Sequence, residues 1–228
     1  HLRQKAFYDP SRHNPKVLVV GAGGIGSNLV PQLTKLGVRD ITVYDHDTVA
    51  VHNISTTFYT HRHVGKPKVT ALAQVVKQMT GSDIRGVHKR FTGKENLKGY
   101  DVVISATDSL EARRILFESA VKQKVPFLID GRIGGEQIRV FALQPTSPHD
   151  RKEYAKTVSP KLIPAILPCT AQQVVDVGWA TTSLMVRAFR QWFAEERYHP
   201  EILMHVPDMN VLVEESRTKH RAKRTTLA

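Results

Sequence analysis

The sequence predicts an α/β protein with a doubly wound, mostly parallel sheet, and three observations support this. Short apolar runs rich in β-branched residues alternate with longer segments whose apolar side chains recur at helical spacing. A glycine-rich stretch separates the first apolar run from the first helical segment. The alternation continues along most of the chain. We therefore expect a Rossmann-like fold with an additional C-terminal helix and short closing strands.

The predicted elements follow from these patterns in chain order. Residues 16–20 are apolar and β-branched, which is typical of a buried parallel strand. Residues 25–36 have leucine and isoleucine at helical spacing, and Gly37 ends that helix. The later elements are strands at 40–44, 84–88, 101–105, 126–129 and 137–143, helices at 66–80, 109–123 and 170–194, and one or two closing strands within 201–213.

Two boundaries divide the chain into three segments. Residues 1–15 form a polar lead-in, and residues 16–213 form the main domain. Within that domain, residues 144–168 contain several prolines, which predict a long exposed loop. Residues 214–228 are rich in lysine and arginine, and we expect this tail to be disordered.

Composition limits the class of protein. The 228 residues are 41% hydrophobic and 24% charged, the usual balance of a globular protein. We expect no membrane-spanning segment and no signal peptide. Cys169 is the single cysteine, so no internal disulfide forms within the chain, which suits a cytoplasmic location. The net charge of +12 is compatible with nucleic acid, acidic proteins or polyphosphates as partners and does not choose among them.

The glycine stretch is the first candidate site. It reads Gly21-Ala22-Gly23-Gly24-Ile25-Gly26 and lies between a predicted strand and a predicted helix. Glycines there allow a tight turn and let the backbone approach phosphate, which the helix N-terminus attracts. Asp45 ends the second strand, 19 residues after Gly26, where a carboxylate binds ribose hydroxyls. These features predict nucleotide binding and leave both NAD and ATP open.

Four further motifs distinguish the two nucleotides. They are Asp45-His-Asp47-Thr-Val49 followed by Asn53, Gly65-Lys-Pro-Lys68, Ser105-Ala-Thr-Asp108-Ser109 followed by Arg113, and the N-terminal pair Arg3-Gln4. Their order and spacing over residues 3–143 resemble the adenylating family of ThiF, MoeB and the ubiquitin-activating enzymes. The resemblance favours ATP. An NAD oxidoreductase would in addition need a catalytic His or Tyr pairing, for which the sequence gives no sign.

The resemblance implies a role for each matching position. The glycine loop, Asp45 and Asp47 would contact the nucleotide, Asp45 at its ribose, while Asn53 and Lys68 would reach its phosphates. Asp108 would hold Mg²⁺, and Arg3 would contact the triphosphate from the other subunit of a homodimer. Lys68, Arg3 and Asp108 are therefore also candidate catalytic residues. Simpler readings remain open: Lys68 as a solvated charge, Asp108 as a helix cap and Arg3 as a frayed end.

The sequence departs from the family in two respects. Where the family has a phosphate-binding arginine after Asn53, this chain has Thr56, and Arg62 is the nearest candidate replacement. Many relatives bind structural zinc through two Cys-x-x-Cys pairs, which one cysteine cannot form, so no structural zinc is expected. His61 and His63 are expected to be surface residues and not metal ligands.

Cys169 precedes the last predicted helix in the sequence Leu167-Pro-Cys-Thr170. A thiol at a helix N-terminus has a lowered pKa and is more nucleophilic. In the resembling family, a cysteine in a similar setting accepts the acyl group or links to a sulfur carrier. The alternative is a small buried apolar residue without chemistry.

The function implied by the resemblance is ATP-dependent adenylation of the C-terminal carboxylate of a small ubiquitin-like or sulfur-carrier protein, with possible transfer to Cys169. The loop at 144–168 would then lie over the carrier's tail as a crossover loop. Two alternatives keep the fold. One is an ATP-dependent tRNA-nucleoside dehydratase or peptide adenylase, for which the basic charge of the chain would suit tRNA. The other is a catalytically degenerate nucleotide-binding scaffold, which the replacement at Thr56 suggests.

Overall fold

The computed structural model describes residues 2–159 and 174–219 of the chain. The helices are α1 (Gly26–Leu36), α2 (Lys68–Thr80), α3 (Leu110–Lys122), α4 (Pro148–Thr157) and α5 (Val175–Ala194), with short 3₁₀ helices η1 (Leu2–Gln4), η2 (Val51–Thr56) and η3 (His61–His63). The strands are β1 (Lys16–Val20), β2 (Asp40–Asp45), β3 (Arg85–His88), β4 (Val102–Ser105), β5 (Phe127–Gly134), β6 (Gln137–Leu143), β7 (Arg197–Tyr198), β8 (Glu201–His205), β9 (Asn210–Val213) and β10 (Arg217–Thr218).

The main sheet has eight strands in the order β3-β2-β1-β4-β5-β6-β8-β9. The five strands from β3 to β5 are parallel, and β6, β8 and β9 continue the sheet in antiparallel fashion. The order reverses at β1, from which the chain winds outward first to β2 and β3 and then to β4 and β5. The predicted doubly wound α/β fold with closing strands is therefore confirmed.

Helices cover both faces of the parallel half of the sheet. One apolar cluster joins α1, α2 and α5 to the side chains of Val17 and Val19 on β1. The other joins α3 and α4 to the intervening residues Leu18 and Val20. Alternate side chains of β1 thus enter opposite cores, as expected for a strand buried on both faces. None of the helices in the described ranges is both long and apolar enough to cross a membrane.

The expected loop at 144–168 is wrong over its first part, because residues Pro148–Thr157 form α4. The hydroxyl of Ser147 accepts a hydrogen bond from the N–H of Asp150 at 3.3 Å and caps the helix. Pro148 lies in the first turn, where its missing N–H is not needed. A proline that we interpreted as a loop signal therefore begins a helix. Residues 160–168 lie outside the described residues.

The expectation of a disordered tail at 214–228 is also wrong over its first part. Residues Arg217–Thr218 form β10, which pairs with β7 in antiparallel fashion. Arg217 donates to the buried carboxylate of Asp150 at 2.6 Å, and the Tyr198 hydroxyl donates to the same carboxylate at 2.6 Å. A basic residue that we read as solvated instead neutralises a buried acid. Residues 220–228 lie outside the described part of the chain.

Candidate nucleotide-binding site

The C-terminal ends of three neighbouring strands bring the predicted site together. Val20, the last residue of β1, pairs with Tyr44 of β2 on one side and with Ser105 of β4 on the other. The glycine loop, Asp45 and the loop that leads to Asp108 therefore begin side by side at one edge of the sheet. This edge lies where the strand order reverses, which is the usual ligand position in open α/β sheets.

Two of the glycines are required by close backbone packing. A Cβ on Gly21 would lie 2.4 Å from the Ala106 carbonyl oxygen, and Gly21 has a left-handed φ of 104°. A Cβ on Gly26 would lie 1.9 Å from the Gly21 carbonyl oxygen, whereas a Cβ on Gly23 would meet nothing within 4 Å. The loop is thus folded tightly on itself and open at Gly23.

The N-terminus of α1 is available to an anion. The N–H groups of Ser27 and Asn28 already donate to carbonyls of the glycine loop, whereas those of Gly24, Ile25 and Gly26 have no hydrogen-bond partner among the described residues. Ile25 at the N-cap makes no side-chain capping bond. Backbone donors and the positive end of the helix dipole therefore lie beside the open Gly23 position. This arrangement fits the phosphates of a nucleotide.

Asp45 shapes the glycine loop directly. One carboxylate oxygen accepts from the N–H of Ala22 at 2.7 Å, and the other accepts from the N–H of Asp47 at 2.8 Å. The side chain is only partly exposed. Its position at the end of β2 agrees with the expected place for ribose, and the ribose contact itself stays a prediction.

Lys68 is held at the site by Asp47. Its ammonium lies 2.8 Å from the Asp47 carboxylate, and its backbone N–H donates to the Asp47 carbonyl at 2.9 Å. The Lys68 side chain is 11% exposed, so the reading of a solvated charge is wrong. The hydrogen bond from Lys68 is the main cause that lowers the pKa of Asp47. The Asp47 carboxylate therefore stays ionised at neutral pH.

Asn53 and Thr56 lie in η2, which contacts the glycine loop through Asn28. Asn53 Oδ1 accepts from the Ala50 N–H at 2.9 Å. The Asn28 amide donates to the carbonyls of Thr56 at 2.8 Å and Gly24 at 2.6 Å. Asn28 is fully buried, and its Oδ1 has no hydrogen-bond partner within the described residues. The segment where the family carries an arginine thus adjoins the start of α1.

Arg62 does not replace the missing arginine. Its guanidinium donates to Gln78 on an exposed surface. Gln78 lies ten residues beyond Lys68 on α2, a distance of about 15 Å along the helix axis. The prediction that Arg62 replaces the arginine is therefore wrong, because Arg62 lies near the C-terminal end of α2 and the site lies at its N-terminal end.

The prediction that His63 is a surface residue is also wrong, because His63 is 1% exposed.

Asp108 follows β4 as an exposed residue in a loop that other groups hold in place. The helix cap of α3 is Ser109, whose hydroxyl accepts from the Ala112 N–H at 3.3 Å, so the reading of Asp108 as the cap is wrong. Through residues 2–159 and 174–219, no hydrogen bond or ion pair engages the Asp108 carboxylate. An exposed, uncommitted carboxylate beside a phosphate site fits the oxygen ligands that Mg²⁺ prefers.

A second group of acids also lies at this edge. Asp45, His46 and Asp47 have potential ligand atoms within 4.8 Å of one another. The carboxylates of Asp45 and Asp47 already accept hydrogen bonds from Ala22 and Lys68. We therefore keep Asp108 as the candidate Mg²⁺ ligand.

Tyr59 is a site residue that the sequence reasoning missed. It is 2% exposed, and its hydroxyl lies 2.7 Å from the Ala22 carbonyl and 3.2 Å from the Lys68 carbonyl. Burial raises its pKa far above the ordinary value, so the hydroxyl remains a donor. Tyr59 thus joins the glycine loop to the start of α2. A lone tyrosine in a polar segment gave no signal of this role.

Two predicted residues remain, one near the N-terminus and one outside the described ranges. Arg3 is exposed in η1, and the neighbouring Gln4 docks this segment by donating to the Lys35 and Leu36 carbonyls at 3.0 Å each. Cys169 lies outside the described residues. The roles of Arg3 and Cys169 therefore stay predictions.

The fold and the site define a nucleotide-binding α/β protein, and comparison with known proteins identifies its family. The model of the ThiF family matches residues 10–188, and the chain belongs to that family. The SUMO-activating enzyme subunit uba-2 of Caenorhabditis elegans is 33% identical over 126 residues, which cover 53% of this chain and 22% of that protein. The molybdopterin-synthase adenylyltransferase of Salmonella typhimurium is 31% identical over 139 residues, covering 58% of this chain and 56% of that protein.

Solved structures agree on the fold. A crystal structure of E. coli MccB with ATP superposes with a TM-score of 0.69 at 14% identity, covering 95% of this chain and 67% of that chain. A crystal structure of PaaA gives a TM-score of 0.70 at 15% identity, again covering 95% of this chain and 67% of that chain. The matched part of this chain corresponds to between a fifth and about half of the length of the curated relatives.

Proposed function

We propose that this chain binds MgATP at the candidate site and adenylates the C-terminal carboxylate of a small ubiquitin-like or sulfur-carrier protein. The observation that carries the proposal is the convergence of the open glycine loop, Asp45, the Lys68–Asp47 pair and Asp108 at one edge of the sheet. The named activities of the relatives support it, since they include activating enzymes for ubiquitin-like proteins and a molybdopterin-synthase adenylyltransferase. The net charge of +12 would favour an acidic carrier.

The chemistry requires fixed positive groups around the α-phosphate. A carboxylate oxygen of the carrier bonds to the α-phosphorus, the bond from that phosphorus to the bridging oxygen breaks, and pyrophosphate leaves with the electron pair. Negative charge increases on the phosphate oxygens, and donors placed in advance stabilise it. The α1 N-terminus and Lys68 supply such donors, and Asp45 would orient the ribose. Mg²⁺ held by Asp108 would neutralise phosphate charge.

ATP–pyrophosphate exchange in the presence of candidate carriers tests this proposal. We expect carrier-dependent exchange that Asp108→Ala lowers at least 100-fold, in the range of losing a charged transition-state contact. Glu111→Ala is the matched control, because Glu111 is an exposed acid three residues further along, in the first turn of α3. Exchange that is absent with every carrier, or that the two variants change equally, contradicts adenylation at this site.

We also propose that the protein acts as a homodimer in which Arg3 reaches the partner's triphosphate site. An exposed apolar surface beside η2 supports this: Val51, Val175 and Trp179 are 63%, 42% and 51% exposed, and Phe58 stacks on Trp179. Light scattering measures the assembly. Mixing the inactive variants Arg3→Ala and Asp108→Ala should restore up to a quarter of the exchange activity, since only mixed dimers contain one intact site. A lack of recovery in a confirmed dimer contradicts the shared site.

Cys169 is our candidate for acyl transfer after adenylation. We expect a carrier conjugate that reducing agents cleave, and we expect Cys169→Ala to abolish it while exchange persists. A conjugate that survives in Cys169→Ala rules the thiol out as the acceptor. We further propose a cytoplasmic location for these reactions, which cell fractionation tests.

A degenerate scaffold is the second candidate, and Thr56 favours it, because Arg62 does not supply the missing cation. This alternative predicts ATP binding without exchange for every carrier. Thr56→Arg would then be expected to create exchange. A tRNA substrate is supported only by the basic charge, and filter binding would detect it as affinity for tRNA that falls steeply with salt.

A further inference from the structure

A buried carboxylate lies directly behind the loop that leads to Asp108. Asp130 of β5 is fully buried and pairs in register with Ser105, the last residue of β4. An isolated buried carboxylate would be strongly unfavourable, so its partners matter. Arg113 donates to one oxygen, and Arg132 at 2.6 Å and the Tyr154 hydroxyl at 2.9 Å donate to the other. Asp130 is therefore held rigidly from three sides.

Arg113 connects the Asp130 carboxylate to the loop at 106–108. Its side chain is 6% exposed, and it donates both to the Gly131 carbonyl at 2.9 Å and to the Thr107 carbonyl. A guanidinium can satisfy several acceptors in a fixed plane, which a lysine cannot. The peptide that immediately precedes Asp108 is thus bonded to a side chain that Asp130 holds in place.

The same stretch of backbone also touches the glycine loop. The position of a Cβ on Gly21 lies 2.4 Å from the Ala106 carbonyl oxygen and 3.1 Å from the Thr107 nitrogen. A shift of the loop at 106–108 would therefore move Asp108 relative to the phosphate donors of α1. Arg113 is the one side chain that links this loop to Asp130 among the residues described.

We propose that Arg113 is a positioning residue that fixes Asp108 relative to the glycine loop. By doing so, it sets the Mg²⁺ concentration at which Mg²⁺ strengthens ATP binding. The inference rests on the proposed MgATP site. Arg113 need not touch the nucleotide, because its effect passes through the Thr107 peptide. Partners of this kind, one step removed from a metal, typically change metal affinity about 10–100-fold when they are lost.

The test measures equilibrium binding of ATP by calorimetry, first with EDTA and then across a MgCl₂ titration. Arg113→Met removes the loop contact and leaves Asp130 with Arg132 as its counter-ion, so the fold is expected to persist. We expect the Mg²⁺ concentration for half-maximal strengthening of ATP binding to rise about 10-fold or more. ATP affinity in EDTA should change less than about threefold. Arg113→Lys should be intermediate, because it keeps the charge and can reach only one acceptor.

Arg114→Met is the matched control, since Arg114 is the next residue of α3 and pairs with Glu118 near the surface. It should leave the Mg²⁺ dependence unchanged. If Arg113→Met does not fold, Arg113→Lys alone decides the question by the direction of its shift. An unchanged Mg²⁺ midpoint in a folded Arg113 variant, while Asp108→Ala shifts it, overturns the positioning role. Failure of the site itself looks different: wild type would not bind ATP, or Asp108→Ala would leave the midpoint unchanged.

Discussion

Removing the Tyr59 hydroxyl tests how the glycine loop is held. Tyr59→Phe deletes one oxygen and leaves the ring in its buried place. The lost bond to the Ala22 carbonyl is 2.7 Å long, and the Lys68 carbonyl at 3.2 Å retains its acceptor role within α2. One buried carbonyl therefore loses its donor, which costs about 1–2 kcal/mol. For a chain of this size the melting temperature should fall by roughly 3–6 °C.

The same change should weaken ATP binding. The hydroxyl favours the loop conformation in which the Gly23 position is open, and an apparent Kd rises in inverse proportion to the population of the competent state. If the full 1–2 kcal/mol is expressed in the equilibrium between the competent and the disordered loop, the Kd for ATP rises about 5–30-fold. Calorimetric titration with ATP measures the Kd, and scanning calorimetry measures the melting temperature.

Tyr100→Phe provides the control. Tyr100 lies beneath the Lys16 ammonium, 5.0 Å from it, at the opposite end of β1 from the glycine loop. We expect this variant to keep the ATP affinity of the wild type. If Tyr59→Phe keeps both the melting temperature and the ATP affinity, the hydroxyl does not organise the loop and the reasoning is wrong.

Three other perturbations address the rest of the structure. Gly23→Ala should leave the melting temperature unchanged and weaken ATP binding at least 10-fold, whereas Gly26→Ala should impair both, because its Cβ would lie 1.9 Å from a backbone oxygen. Arg217→Met leaves the buried Asp150 carboxylate without its cation and should destabilise the fold by about 2–3 kcal/mol in urea unfolding. His63 has a lowered pKa because it is buried, and its Nδ1 accepts from a backbone N–H, so the folded state prefers the neutral ring. Stability that is present above the unfolded pKa of about 6.5 should be lost as the pH falls below it, and His63→Gln should remove that dependence.

Each of these expectations has an outcome that contradicts it. Equal effects of the two glycine variants on ATP binding and melting would mean that Gly23 is also a packing residue. If Arg217→Met leaves the free energy of unfolding unchanged, the segment at 214–219 does not stabilise the fold. A stability profile between pH 5 and 7 that is identical in wild type and His63→Gln would show that this ring does not titrate with folding.

The parallel half of the fold and the position of the glycine loop follow from local sequence patterns. Short apolar strands and the glycine loop obey rules that depend on neighbouring residues only, and the ends of adjacent parallel strands must meet at one edge. Asp45 and Asp108 follow this rule, because they lie at and just after the ends of β2 and β4, while their proposed roles rest on the resemblance to the family. The ion pair between Lys68 and Asp47 could not be predicted in this way, because it depends on where the start of α2 packs beside the end of β2.

The wrong predictions of a loop around Pro148 and of a disordered tail around Arg217 share one physical cause. In both segments, polar residues are buried by partners that lie far away in the sequence. Pro148 and the charged residues around it resemble a loop until Asp150 is seen to be buried against Tyr198 and Arg217. Arg217 resembles part of a solvated tail for the same reason. No local pattern shows that a charge has a buried counter-ion far away in the sequence, so such networks are accessible only from the fold.

The two halves of the sheet differ in how far a local sequence pattern can predict a ligand. The parallel half ends in loops whose geometry is fixed by backbone contacts, such as those of Gly21 and Gly26, and phosphate recognition depends on that backbone. The antiparallel half ends in β9, whose residues Asn210–Val213 are exposed. Recognition of a protein partner depends on side chains and surface shape, which vary without disturbing the fold. The ThiF family membership therefore supports the proposed ATP site, while the carrier of the proposed reaction must be measured.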